Sequence, residues 1–203
     1  MLRLAFCLVA LVNLTACSGY TRGSSQAEVD AVSFVAGPPT YVVLYTVVNN
    51  RSNSGAHSAV MVNASERVIF DPAGSWHHPR LPERNEVHYG MTDKAVDYYI
   101  DYHARSTYDV IEQKIFVSPE VAEALLRRMK SYGKVSKSMC TMATSEVLNE
   151  LPGFESVKRT WFPKKLSEDF AKLPGVTTRY ITDATDESNH GILLIQANGD
   201  PLE

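Results

Sequence analysis

A run of strand-forming residues at positions 41–48 restricts the fold of this chain more than any other feature. It reads Tyr-Val-Val-Leu-Tyr-Thr-Val-Val, follows Pro38-Pro39 and ends at Asn49-Asn50. β-branched and aromatic residues favour extended backbone, and proline and asparagine are typical of the turns that bound a strand. Because the run is almost continuously apolar, it predicts a strand well buried in a sheet.

The remaining periodicity places strands first, then helices, then strands again. Further strands are predicted at 57–62, 67–70, 113–117, 177–181 and 191–196, the first two forming a hairpin. Helices are predicted at 92–105, after the Ser118-Pro119 start signal, from Ser138 and at 163–172. This order predicts an α+β fold in which an antiparallel sheet packs against the helix that carries Cys140.

The N-terminus has the pattern of a secretory leader. Arg3 precedes an apolar run at 4–14 that is too short for a stable membrane span. The tetrad Leu14-Thr15-Ala16-Cys17 resembles the lipobox of bacterial lipoproteins, which implies that residues 1–16 are a signal peptide and that Cys17 is lipidated. By the same resemblance, Ser18 points to the outer membrane, facing the periplasm. The alternative is an ordinary leader that leaves Cys17 free.

Composition and charge limit the classes of molecule that this chain can bind. Residues 17–37 are polar and predict a flexible tether, and 38–203 are long enough for one domain with its own core. The formal net charge is −3 and there is no continuous block of basic residues, which argues against nucleic acid as a partner. The lipobox-like tetrad implies the membrane as a partner, through an N-terminal lipid.

Cysteine usage leaves one thiol to explain. Of the three cysteines, Cys7 lies in the leader and Cys17 in the lipobox, so Cys140 has no partner for an intramolecular disulfide. Cys140 is either an inert buried residue or a reactive, functional one. It lies in the first turn of a predicted helix, where free N–H groups and the helix dipole stabilise a thiolate, and this position favours a functional thiol.

A register argument brings a histidine to an aspartate. If the predicted hairpin is centred on Ala64, positions summing to 128 face each other, and His57 lies directly opposite Asp71 on the same face. An aspartate there would hold the imidazole tautomer and stabilise its charged form. Taken singly, His57 also fits a strand-end residue with a backbone partner, and Asp71 fits an Asp-Pro turn.

These segments together resemble a known family. The runs Gly-Ala-His-Ser-Ala-Val-Met-Val at 55–62, Val-Ile-Phe-Asp-Pro-Ala-Gly at 68–74, and Ser-Met-Cys at 138–140 are similar to the circularly permuted NlpC-type papain-like enzymes, relatives of the lecithin retinol acyltransferase-like proteins. The resemblance implies a permuted papain-like fold over roughly 40–196, with Cys140 as nucleophile, His57 as base and Asp71 as the orienting third residue. Because that third position is often another polar residue in this family, Glu66 or a loop histidine is an alternative.

The resemblance also implies a chemistry. It predicts acyl transfer through a Cys140 acyl-enzyme, with an amide bond in cell-wall peptidoglycan peptides as the substrate. A thiol acyltransferase or esterase acting on lipid acyl groups is an alternative, and so is a non-catalytic lipoprotein binding module.

Two sets of residues are predicted to assist this chemistry. Tyr41 or Tyr45 on the first strand is positioned to donate to an oxyanion. The long loop at 76–90 supplies substrate-groove residues, namely Trp76, His77, His78 and Tyr89. No cofactor is implied. A metal site is not predicted, because the histidines of this loop lack the spacing that would aim them at one ion.

Overall fold

The computed structural model describes residues 23–182 and confirms an α+β fold. Its sheet has seven strands in the order β4-β5-β3-β2-β1-β6-β7, and every strand pair is antiparallel. The strands are β1 (Tyr41–Asn49), β2 (Gly55–Asn63), β3 (Arg67–Phe70), β4 (Glu83–Arg84), β5 (Val87–His88), β6 (Tyr108–Phe116) and β7 (Thr177–Ile181). The helices in the described range are α1 (Gln26–Ala31), α2 (Asp93–His103), α3 (Pro119–Tyr132), α4 (Cys140–Asn149) and α5 (Pro163–Phe170). The predicted leader, Cys17 and the predicted strand at 191–196 lie outside the described residues.

The predicted strand at 41–48 is the buried centre of the sheet. β1 pairs with β2 on one side and with β6 on the other, and its first eight residues are all buried. Val42 and Leu44 belong to a core shared with α1, α3, α4 and α5, whereas Val43 and Tyr45 belong to a second core shared with α2. Apolar side chains point both ways because helices cover both faces of the sheet.

Start and stop signals predicted the helix bounds closely. Thr92 caps α2 by accepting a hydrogen bond from the Ala95 N–H at 3.2 Å. Ser118 caps α3, and Pro119 occupies its first turn. β6 begins at Tyr108, five residues before its predicted start at 113. Asp109 and Glu112 interrupt the apolar pattern, but all nine residues of the strand pair with β1. Tertiary pairing decides that boundary.

Two segments predicted to be irregular contain regular structure. The expected tether at 17–37 includes α1, which has a capping box between Ser25 and Glu28 and buries Val29 in the core, so a flexible spacer is wrong for this part of it. The long loop at 76–90 folds back as β4 and β5, and β5 extends the sheet by pairing with β3. In both cases short polar sequences are ordered by docking onto the core.

The hairpin of β2 and β3 forms, but in a different register from the predicted one. Val60 faces Phe70 and Met61 faces Ile69, so paired positions sum to 130 rather than 128. His57 and Asp71 are therefore not directly opposite. The strands are offset by two residues from the predicted register. Because side chains alternate between the two faces with a period of two residues, His57 and Asp71 still lie on the same face of the sheet.

Among residues 23–182, no helix has the length and apolar character needed to cross a lipid bilayer.

Candidate active site

A bulge aims His57 at the beginning of β2. Val47 of β1 pairs with His57, whereas the next residue, Val48, pairs with Gly55. The pairing therefore skips Ala56, which is the extra residue of a bulge in β2. Bulges of this kind bend a strand and redirect side chains. The His57 side chain is 16% exposed, and its ring stacks on His103 of α2 with ring centroids 5.8 Å apart. His57 is thus reachable from solvent while its ring is fixed from one side.

Asp71 lies directly after β3 and holds the His57 ring. His57 Nε2 lies 2.5 Å from Asp71 Oδ1, and the carboxylate side chain is fully buried. The Tyr99 hydroxyl donates to the same oxygen at 3.0 Å, and His88 Nε2 lies 3.8 Å from Oδ2. The predicted His57 and Asp71 pair is therefore present. The alternative third residue Glu66 is engaged elsewhere, in an ion pair with Lys130.

The buried pair is charged. Burial alone would lower the pKa of His57, but the Asp71 carboxylate outweighs it and raises that pKa to about 10. Burial alone would raise the pKa of Asp71, but the imidazolium and the hydrogen bonds it receives hold that pKa well below its usual range. At neutral pH the pair is an imidazolium and a carboxylate in a desolvated site.

Cys140 is the first residue of α4, as its sequence position predicts. Met139 is the N-cap residue of α4, and its side chain makes no capping hydrogen bond. The Ala143 N–H donates to the Met139 carbonyl at 3.0 Å. The N–H groups of the first turn are thus oriented beside the thiol with the positive end of the helix dipole. Ser138 has φ +69°, a left-handed conformation that is uncommon for serine and is found often at functional sites.

Contacts with β2 lower the pKa of the Cys140 thiol. Burial would raise this pKa, but the hydrogen bond and charge of His57, the Thr141 hydroxyl and the Ser58 backbone N–H outweigh it and bring it to about 7. Between about pH 7 and 10, thiolate and imidazolium therefore coexist. The arrangement supports nucleophilic attack without a separate deprotonation step.

His103 joins the same cluster as a neutral ring. Its Nδ1 donates to the Tyr99 carbonyl at 2.8 Å. Burial, opposed by Asp71 and reinforced by the His57 charge, lowers its pKa to about 4. The potential metal-ligand atoms of His57, Asp71 and His103 lie within 4.8 Å of one another. Among residues 23–182, these three side chains form the cluster that could hold a metal ion. Since Asp71 Oδ1 is bonded to His57 and Tyr99, the arrangement first of all orients the His57 ring.

The tyrosines predicted to donate to an oxyanion are in the wrong place. Tyr45 is 2% exposed and already donates its hydroxyl to Met61 Sδ at 3.8 Å, so this hydroxyl is engaged within the core. Tyr41 accepts from Arg67 Nη1 at 3.2 Å. It lies six residues before the partner of His57, about 20 Å away along the strand.

Three of the four predicted substrate-groove residues are buried. Trp76 is 1% exposed and packs against His88 and Tyr99, and Tyr89 is 3% exposed in the core beneath α3. His78 is 5% exposed, and it lines a cavity with α1 rather than the cleft at His57. His77 is exposed at the same cavity. Aromatic side chains of the loop are needed for its packing, which is why they point inward.

A different cleft adjoins His57. It has a volume of about 350 Å³ and lies between the start of β2, the turn after Asp71 and the end of α2. Its lining residues include His57, Gly74, Ser75, His103, Arg105 and Tyr108. A cleft of this size suits part of a substrate rather than a whole polymer.

Comparison with known proteins does not extend this description. No family model matches the sequence, and no curated protein or solved structure matches the chain. The functional argument therefore rests on the geometry of Cys140, His57 and Asp71.

Two residues that support the His57 and Asp71 pair and α4 were not predicted from the sequence. Tyr99 lies on the buried side of α2, and its hydroxyl donates to Asp71. Ser58 supports α4 from the strand, through contacts with Thr141 Oγ1 at 3.2 Å and Thr144 Oγ1 at 3.1 Å. Adjacency of Ser58 to His57 was the available signal, but small hydroxyl residues are too common for it to be decisive.

Gly74 leaves the space that Asp71 occupies. A Cβ at this position would lie 1.9 Å from Asp71 Oδ2, so Gly74→Ala must displace the carboxylate. We expect this change to lower the free energy of unfolding by about 1–3 kcal/mol and to raise the pKa of Cys140 as the His57 charge is lost. Chemical denaturation and thiol alkylation against pH measure the two effects. Gly153→Ala is the control: its Cβ would meet no atom within 4 Å but its φ is +89°, so it should lose some stability through backbone strain while leaving the thiol pKa unchanged. An unchanged thiol pKa in Gly74→Ala would contradict the expectation.

Proposed function

We propose that this chain is a cysteine hydrolase that cleaves an amide bond through a covalent acyl-enzyme, with Cys140 as nucleophile, His57 as acid and base, and Asp71 as the orienting carboxylate. The observation that carries the proposal is the buried His57 and Asp71 pair at 2.5 Å, hydrogen-bonded onward to a thiol in the first turn of a helix. The order of histidine hairpin before cysteine helix supports a circularly permuted papain-like fold.

The geometry supports a two-stage reaction. The Cys140 thiolate attacks the carbonyl carbon, and the Cys140 backbone N–H at the start of α4 stabilises the resulting oxyanion. His57 gives its proton to the leaving nitrogen as the C–N bond breaks, leaving a thioester. His57, now neutral, takes a proton from water, which attacks the thioester and releases the acid and the thiolate. Asp71 remains ionised and keeps the ring oriented throughout.

Substrate and location follow from resemblance alone. The similarity to NlpC-type enzymes supports peptide amide bonds of the cell wall as the substrate. The lipobox-like tetrad ending at Cys17 supports attachment to the envelope, at the outer membrane facing the periplasm.

Mass spectrometry of the reacting protein tests the proposal. Incubation with cell-wall peptide fragments is expected to give cleaved products and, on rapid acid quenching, an acyl adduct on Cys140 that hydroxylamine removes. His57→Gln is expected to suppress both, whereas His77→Gln, at an exposed histidine away from the site, is expected to change neither. A folded protein with an alkylation-competent Cys140 but no adduct from peptides or lipid esters would favour a binding module instead.

A further inference from the structure

A surface loop before α5 combines exposed aromatic rings with positive charge. Residues 158–165 read Lys-Arg-Thr-Trp-Phe-Pro-Lys-Lys, and we call them the basic-aromatic loop. Trp161 is 55% exposed and Phe162 is 70% exposed, which places two large adjacent apolar side chains in solvent. Four cations of the loop form two pairs, Lys158-Arg159 and Lys164-Lys165, which Thr160, Trp161, Phe162 and Pro163 separate in the sequence.

The exposure is built into an ordered backbone. Val157 and Leu166, on either side of the loop, are buried at 1% and 0%. The Thr160 N–H donates to Ser145 Oγ of α4 at 3.1 Å, and the Phe162 N–H donates to Thr160 Oγ1 at 3.2 Å. Both ends and the middle of the loop are therefore fixed while its rings point outward. Contiguous exposed apolar groups in such a setting mark a surface that something covers.

Charge indicates what covers it. Arg159 pairs with Glu146 and Lys165 with Asp169, but Lys158 and Lys164 have no carboxylate partner within residues 23–182, and the loop itself holds no acidic residue. Lys158 Nζ donates only to the Glu155 carbonyl. Aromatic rings flanked by cations match a bilayer surface, where rings enter the headgroup region and the cations meet anionic lipid.

We infer that the basic-aromatic loop is a docking site for anionic phospholipid membranes. It lies beside the catalytic residues, since a Cβ on Gly55, two residues before His57, would lie 2.7 Å from Pro163 Cβ. Docking through Trp161 and Phe162 holds this end of the sheet at the lipid surface. The inference does not depend on catalysis, although it favours the lipid acyl alternative as a substrate within reach of Cys140.

Vesicle binding by the mature chain, residues 17–203 with Cys17→Ser to prevent lipidation, tests the inference. The chain has two tryptophans, and Trp76 is 1% exposed, so a blue shift of fluorescence on adding vesicles reports Trp161. We expect a shift and cosedimentation with vesicles of phosphatidylcholine and phosphatidylglycerol, much weaker binding to phosphatidylcholine alone, and loss of binding as salt is raised.

Variants separate the contribution of positive charge to vesicle binding from that of apolar insertion. The double change K158Q/K164Q is expected to weaken binding about 25-fold, at about fivefold per cation. F162S is expected to weaken it about tenfold through loss of apolar insertion. Y180S removes an equally exposed aromatic residue that lies outside the loop, on β7, and is expected to change nothing. Cys140→Ala is expected to bind as the parent does, which keeps this test distinct from the test of catalysis.

Three results would overturn the inference. They are equal affinity for neutral and anionic vesicles, unchanged affinity of folded F162S and K158Q/K164Q, and binding to isolated cell-wall material without binding to vesicles. The last would assign the loop to the glycan or peptide polymer instead.

Discussion

Replacing His57 with alanine is expected to raise the pKa of Cys140 from about 7 to 8.5 or above, the range of a free thiol. In the parent, His57 lowers this pKa against the effect of burial; without the imidazolium, only the hydrogen bonds from the Thr141 hydroxyl and the Ser58 N–H oppose burial. At pH 7 the thiolate fraction would fall from about one half to about 3% or less. Alkylation by iodoacetamide at pH 7 would slow by at least about threefold, because the greater intrinsic reactivity of a more basic thiolate offsets part of the loss of thiolate.

The measurement is the rate of Cys140 alkylation across pH, with thiolate absorbance in the ultraviolet as an independent readout. Cys140 is the free cysteine among the described residues, and Cys17→Ser removes the other thiol of the mature chain. His77→Ala is the matched control, because the His77 side chain is 62% exposed and lies outside the site. Identical profiles for His57→Ala and the parent would show that the thiol is not activated by this histidine and would remove the basis of the catalytic proposal.

Replacing Asp71 with asparagine is expected to lower the free energy of unfolding by about 3–5 kcal/mol near pH 6.5, because it removes one partner of a buried ion pair. The carboxylate also accepts from Tyr99, so a second buried group loses its charged partner. The activity should fall as well, since nothing then stabilises the His57 imidazolium or fixes its tautomer.

The stability deficit of Asp71→Asn should depend on pH in a stated direction. His57 has a folded pKa of about 10, above its unfolded value of about 6.5. Its contribution is fully present below pH 6.5 and is lost as the pH rises towards 10. The difference in free energy of unfolding between parent and Asp71→Asn should therefore shrink over that window.

Urea denaturation at several pH values measures this dependence. Glu150→Gln is the control, because that carboxylate is 68% exposed and its pair with the partly exposed Arg128 should contribute no more than about 1 kcal/mol. A deficit for Asp71→Asn that is constant from pH 6.5 to 10 would show that His57 is neutral in the folded protein.

Much of the secondary structure was readable from short-range patterns. The strands at 41–48 and 67–70 and the helix starting at Ser118-Pro119 depend on propensity, apolar periodicity and capping, which act within a few residues. Position alone also placed Cys140 in the first turn of α4. Where a boundary depended on a distant partner, as at Tyr108 of β6, the sequence pattern was misleading.

The candidate site was predictable in identity but not in geometry. His57, Asp71 and Cys140 stood out as residue types in a suggestive order, and the first two are in contact. The predicted register was wrong, however, and the assisting residues Tyr41, Tyr45, Trp76 and Tyr89 lie at the far end of β1 or are buried. Residues of the same chemical type cannot be told apart by sequence when their roles depend on which face they occupy.

The amino-acid sequence by itself determined most of the succession of strands and helices over residues 23–182 and the placement of the Cys140 thiol at a helix start. Only the tertiary structure decided that His57 and Asp71 form a buried charged pair, that Tyr99 and Ser58 support it, and that Trp161 and Phe162 remain exposed. Local propensities act over a few neighbouring residues. Contacts such as that of Ser58 with Thr141, 83 residues apart, depend on strand register and helix packing, and the charges of a site depend on the burial which that packing creates.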